Sequence, residues 1–183
     1  MRFFNTSGPV VAADHYCIPP LERLNLTEVR RLLRDKRYFV LHAPRQTGKT
    51  SALLTLRDLL NDEGDYRCVY VNVEAAQALR EDVERAIQIV LGELASRVRL
   101  TLGDEFLTQT WAAFFAEFGP GALREALTRW AEASPAPLVL LIDEISTKRR
   151  GRSFCCRRFY SESSIAADAL SESMAWAGGE WTC

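Results

Sequence analysis

Gly48, Lys49 and Thr50 stand in a row between an apolar run, Tyr38-Phe39-Val40-Leu41, and a leucine-rich segment. A loop that joins a buried strand to a helix leaves the helix's first backbone N–H groups without partners. The helix dipole adds partial positive charge at the same place. Such an end binds phosphate. A glycine there lets the backbone approach the anion, a lysine supplies a point charge for the outer phosphates, and a threonine hydroxyl can ligate magnesium. The stretch Ala43-Pro44-Arg45-Gln46-Thr47-Gly48-Lys49-Thr50 follows the phosphate-loop pattern G-x-x-x-x-G-K-[ST] except at its first position. Alanine there still allows a compact turn. With Ser51 included, residues 43–51 are the candidate nucleotide contacts.

A second group lies far along the chain, where Leu138-Val139-Leu140-Leu141-Ile142 ends in Asp143-Glu144. Ligands of parallel α/β sheets sit beyond the C-terminal ends of the strands. Two such strands would therefore bring the loop and the carboxylates to one edge. Asp143 is then placed to serve a magnesium shell with Thr50, directly or through water. Glu144 is placed to polarise an attacking water as general base or orienter. Taken alone, an Asp-Glu pair after a strand also reads as a helix cap.

The elements that must hold these groups are legible from pattern. Residues 1–23 form an irregular lead-in punctuated by Gly8-Pro9 and Pro19-Pro20. Asn25 and Glu28 have capping-box spacing, followed by Val29, Leu32 and Leu33 at helical spacing, so a short helix is expected to about Lys36. A strand over 38–41 and a helix over 48–60 follow, with Leu53, Leu56 and Leu60 on one face. Asn61 to Gly64 ends that helix. Cys68 to Val73 reads as a buried strand. Residues 80–100 make an amphipathic helix, its apolar stripe formed by Val83, Ala86, Ile87, Val90, Leu91, Leu94 and Val98. Helices over 105–118 and 122–133 come next. Wholly apolar strands alternating with helices predict an α/β fold, a parallel sheet with helices on both faces.

The quoted loop and the Leu140-Leu-Ile-Asp-Glu144 strand resemble the Walker A and Walker B motifs of AAA-like P-loop ATPases. The Asp-Glu ending is similar to the AAA+ and STAND lineages, which use a catalytic glutamate. The resemblance covers about residues 3–145. It implies a P-loop NTPase-type sheet, ATP and Mg2+ as cofactors, and a phosphate contact along Arg45 to Thr50. Magnesium would be served by Thr50 and Asp143, and catalysis by Lys49 and Glu144. Tyr16 to Pro19 become candidate adenine contacts, against the alternative of a strap over the sheet edge. Glu74, after the second strand, is a further nucleotide-facing candidate. His42 reads as a strand residue, and Trp111, Phe114, Phe115 and Phe118 read as core. Two rivals stay open: a nucleotide-binding switch that does not hydrolyse, and a small-molecule kinase, against which the Asp-Glu ending argues.

After Ile145 the sequence changes character, so residues 1–145 are expected to form the ATP-binding part and 146–183 an atypical tail, out of frame or disordered. Arginines interleaved with aromatics allow a nucleic-acid reading. Cys155 and Cys156 have poor zinc spacing. A weak helix is expected over 166–177. In the resembled family a further strand lies between the two motif strands. The tail offers no apolar run of strand length for it, so the fold is expected to be incomplete at the C-terminus, marginal in stability and poor in hydrolysis.

Composition narrows the remaining choices. Net charge is −1 and the pI about 6.2, so no global basic footprint points to nucleic acid or an anionic membrane. The start, MRFFNTSGPV, lacks a basic region followed by an apolar stretch, and no apolar run approaches a membrane span. Five cysteines without a Cys-x-x-Cys pair, with Cys17 and Cys68 in apolar contexts, read as buried thiols of a cytoplasmic protein. The expected partner is a nucleotide, with self-association or an unidentified effector open.

Overall fold

The computed structural model describes residues 3, 4, 11, 13–16, 18–43, 47–79, 82–144 and 171–177. Pro44, Arg45 and Gln46 of the loop, Cys17, and the tail cysteines Cys155, Cys156 and Cys183 lie outside the described residues.

Four strands, β1 (Phe39–Ala43), β2 (Arg67–Asn72), β3 (Leu138–Asp143) and β4 (Ser171–Ala177), form one sheet in the order β1-β4-β3-β2. β2 and β3 pair in parallel, with Tyr70 opposite Leu141 and Asn72 opposite Asp143. β4 runs antiparallel to both β1 and β3. It follows that β1, β2 and β3 all point the same way, and their C-terminal ends share one edge. The fold is α/β with a mixed sheet, where sequence pattern had pointed to a parallel one.

The fourth strand corrects two expectations. The helix expected over 166–177 is, in its described part, a strand. The slot between β1 and β3, expected to lack an occupant, holds that strand. Pairing on both edges explains the change. Each buried backbone group left without a partner costs about 1–3 kcal/mol, which outweighs a weak local helix preference.

Side-chain alternation along β2 and β3 divides the core into two layers. On one face Cys68, Tyr70, Val139 and Leu141 pack with α1 (Leu26–Arg34) and α2 (Lys49–Glu63) through Val29, Leu33, Leu53, Leu56 and Leu60. On the other, Val69, Val71, Leu138 and Leu140 pack with α4 (Val83–Leu102), α5 (Phe106–Phe118) and α6 (Ala122–Ala133). Helices thus cover both faces, as the sequence predicts. Each fully buried leucine contributes about 1.5–3 kcal/mol. Leu53, Leu56 and Leu60, predicted on one helical face, are all buried. Phe114 is buried, and Trp111, Phe115 and Phe118 pack against the same cluster, in keeping with their core reading. Burial also pushes the Cys68 thiol well above its usual pKa, as expected of an inert core cysteine.

Local signals set the ends of the site-bearing elements. Asn25 caps α1 by accepting from the Glu28 N–H at 3.2 Å, while the Glu28 carboxylate turns to Arg31 rather than back to the cap. The lead-in is pinned by a parallel bridge between Phe3 and His15, whose rings meet edge to face at 4.7 Å. A short 3-10 turn over Pro20–Arg23 then carries the chain over the start of α2.

Candidate functional site

The site is assembled where β1 and β3 end. Gly48 is the N-cap of α2 with φ +83, a left-handed conformation that disfavours any residue with a Cβ. The turn lets α2 begin directly at Lys49, so Lys49 and Thr50 occupy its first two positions, beside the orphan amides. Arg23, from the preceding turn, donates through Nη1 to the Thr47 carbonyl at 2.6 Å. The same guanidinium nitrogen lies 3.6 Å from where a Cβ on Gly48 would stand. A cation thus braces the described end of the loop from outside.

Asp143 reaches this place through alternation. Val139, Leu141 and Asp143 lie on the α2 face of β3, and Cys68, Tyr70 and Asn72 on the same face of β2. Asp143 is 1% exposed, the one charged side chain among the buried described residues. A buried carboxylate is tolerated only with donors around it. The Thr50 hydroxyl donates to its Oδ2 at 2.7 Å and the Tyr70 hydroxyl to the same oxygen at 3.0 Å. The Glu144 backbone N–H donates to Oδ1 at 3.0 Å. Burial, then the Asp143 charge and its hydrogen bond, pushes the Tyr70 phenol well above its usual pKa, so it stays a donor.

Glu144 follows at φ +58, half-buried. A left-handed glutamate is uncommon, and such residues concentrate at functional sites. The conformation turns the chain sharply at the strand end, with the Glu144 N–H on the preceding carboxylate.

Among the sequence-predicted site residues, the structure joins Thr50 and Asp143 directly and sets Gly48, Lys49 and Glu144 beside them in the chain. Thr47 accepts from Arg23, and the hydroxyl-bearing Ser51 gives its carbonyl to Thr55 Oγ1 within α2. Ala43 closes β1, paired with Ser171. Glu74 instead begins α3 (Glu74–Gln77) and lines a groove of about 380 Å3 against α4, whose walls include none of Gly48, Lys49 or Thr50. Tyr16 is exposed and stacks near Phe4, with ring centroids 5.1 Å apart. His42 is an exposed strand residue.

Sequence reasoning missed Tyr70 and Arg23. Tyr70 was detectable, since a strand of period two puts residues 68, 70 and 72 on one face, and a tyrosine two positions from the strand end can reach a neighbouring carboxylate. Arg23 carried no signal in its own segment.

Among the described residues no group of three or more His, Cys, Asp or Glu side chains could hold a metal ion, and no helix is long and apolar enough to cross a membrane. Comparison of the chain with protein-family models, with curated proteins and with solved structures gave no match.

Proposed function

We propose that the chain binds ATP with Mg2+ beyond the C-terminal ends of β1 and β3, and hydrolyses it, as a P-loop NTPase-type domain of the AAA-like kind. The observation that carries this reading is the 2.7 Å hydrogen bond between Thr50 and Asp143. Two oxygens from distant parts of the chain meet beside the amides of α2, the pairing the two sequence motifs require.

The donor set suits magnesium. This ion prefers hard oxygen ligands, takes one or two from protein and leaves the rest to water and phosphate. A hydroxyl and a carboxylate, with no all-protein cage among the described residues, match that habit. Thr50 and Asp143 would hold the ion, which when bound would neutralise charge on the β- and γ-phosphates. The amides at the start of α2 bind phosphate oxygens, and Lys49 adds a point charge to the outer ones. Glu144 takes a proton from the attacking water as its oxygen bonds to the γ-phosphorus and the bond from that phosphorus to the β–γ bridging oxygen breaks, so that phosphate and ADP leave.

Glu144→Gln tests the reading and separates it from a non-hydrolysing switch. The variant should bind a fluorescent ATP analogue as the parent does and release phosphate at least 100-fold more slowly, the usual scale for losing a general base. Equal phosphate release by both proteins would reject hydrolysis through Glu144.

A further inference from the structure

We infer that Tyr70 is the positioning residue of this site: its hydroxyl fixes the Asp143 carboxylate against Thr50 and thereby sets how strongly magnesium strengthens nucleotide binding. The inference rests on the proposed function.

Tyr70 is 8% exposed, and its ring belongs to the core layer beneath α2. Packing alone would be met by phenylalanine. The hydroxyl is what distinguishes the residue, and a buried phenol must find a partner. Here it finds Asp143 Oδ2, the oxygen that also accepts from Thr50. The register explains the reach: Tyr70 is opposite Leu141, two residues before Asp143 on the same face. Asn72, next along that face, accepts through Oδ1 from the Glu74 N–H at 2.8 Å. The phenol is therefore set by the packing of its ring and holds the carboxylate from the β2 side.

The consequence lies in the Thr50 hydroxyl, which has one proton and two lone pairs. While Asp143 Oδ2 stays in place it takes that proton, and the Thr50 lone pairs are left for a cation. An aspartate terminal torsion is broad and weakly fixed by its own chemistry. The Glu144 N–H fixes Oδ1, and Tyr70 fixes Oδ2. Without the phenol the carboxylate turns more freely, and the hydroxyl loses its single orientation.

The test compares the parent with Tyr70→Phe, which keeps the ring and its packing, by titrating a fluorescent ATP analogue in excess magnesium and in chelator. In chelator the two should bind within about twofold. With magnesium, the gain in affinity should fall roughly tenfold in the variant, the scale of one hydrogen bond to a charged group. Asp143→Asn should lose the gain as well, and adding Tyr70→Phe to it should cost nothing more, because Tyr70 acts through that carboxylate. A full magnesium gain in Tyr70→Phe, or an equal loss with and without magnesium, would overturn the inference and leave the proposed function standing. A parent chain that binds no nucleotide, or gains nothing from magnesium, would overturn both.

Discussion

Thr50 Oγ1 donates to Asp143 Oδ2 at 2.7 Å, joining residues 93 positions apart in the chain. The bond ties the start of α2 to the end of β3. Thr50→Val keeps the shape of the side chain but removes one of the hydroxyl donors to a buried carboxylate. The folded state should lose about 1–3 kcal/mol. For a chain of this size that lowers the melting temperature by about 2–4 °C per kcal/mol, which thermal denaturation followed by circular dichroism can read. An unchanged melting temperature would mean that Asp143 finds equal solvation elsewhere.

Glu144 stands at φ +58, where a residue with a Cβ is strained by about 1–2 kcal/mol. Glycine relieves the strain and returns part of the gain as greater freedom in the unfolded chain. Glu144→Gly should therefore be more stable than the parent by about 0.5–1 kcal/mol in urea denaturation, while losing phosphate release. Stability and activity would then move in opposite directions at one position. A less stable variant would show that the glutamate side chain contributes more than its backbone costs.

Asp104 joins three elements away from the site. It accepts from the Phe106 N–H at 2.9 Å, from Arg67 at 2.7 Å and from the Trp130 indole at 3.1 Å. Burial works to raise its pKa, but the bonds from Phe106, Trp130 and Arg67 outweigh it and hold the carboxyl below its ordinary value. A depressed folded pKa contributes stability that is fully present above the unfolded value, about 4, and lost as pH falls through the folded one. Asp104→Asn should be about 1–3 kcal/mol less stable near neutral pH. Below about pH 4 the gap should narrow, because the unfolded chain's carboxylate takes up its proton first and the folded one follows at lower pH. Denaturation at several pH values checks this, and a gap that widens toward acid would contradict the assignment.

Much of the scaffold was legible because its signals are local. Leu53, Leu56 and Leu60 repeat at helical spacing and are buried in α2, and the apolar run 138–142 is the buried strand β3. The Gly48-Lys49 junction announced the start of α2, and the strand ending in Asp143 announced the edge it shares. Properties that arise only between elements escaped. β4 has no strand-like sequence of its own, and its state is dictated by two unsatisfied edges that no local window contains. Tyr70 became part of the site only once the β2–β3 register was known. Arg23 reached the loop because a 3-10 turn happened to carry it there. The length of α3, four residues, leaves too little periodicity to detect.

In the sheet, β1 is joined to β3 and β2 through β4. Adjacent strands lie about 4.8 Å apart, so β4 fixes a gap of roughly 10 Å between the strands that deliver Thr50 and Asp143. It is also the last of the four strands in the chain, paired with β1 more than a hundred residues earlier. Such distant pairings are slow to form and leave open edges until they do. During synthesis, β2 and β3 with their helices can dock while β1 waits, and the ends of β1 and β3 come into register only after residues 171–177 have left the ribosome. The nascent chain therefore passes through an interval with a core but an unfinished sheet, and its exposure to aggregation and chaperones is concentrated there.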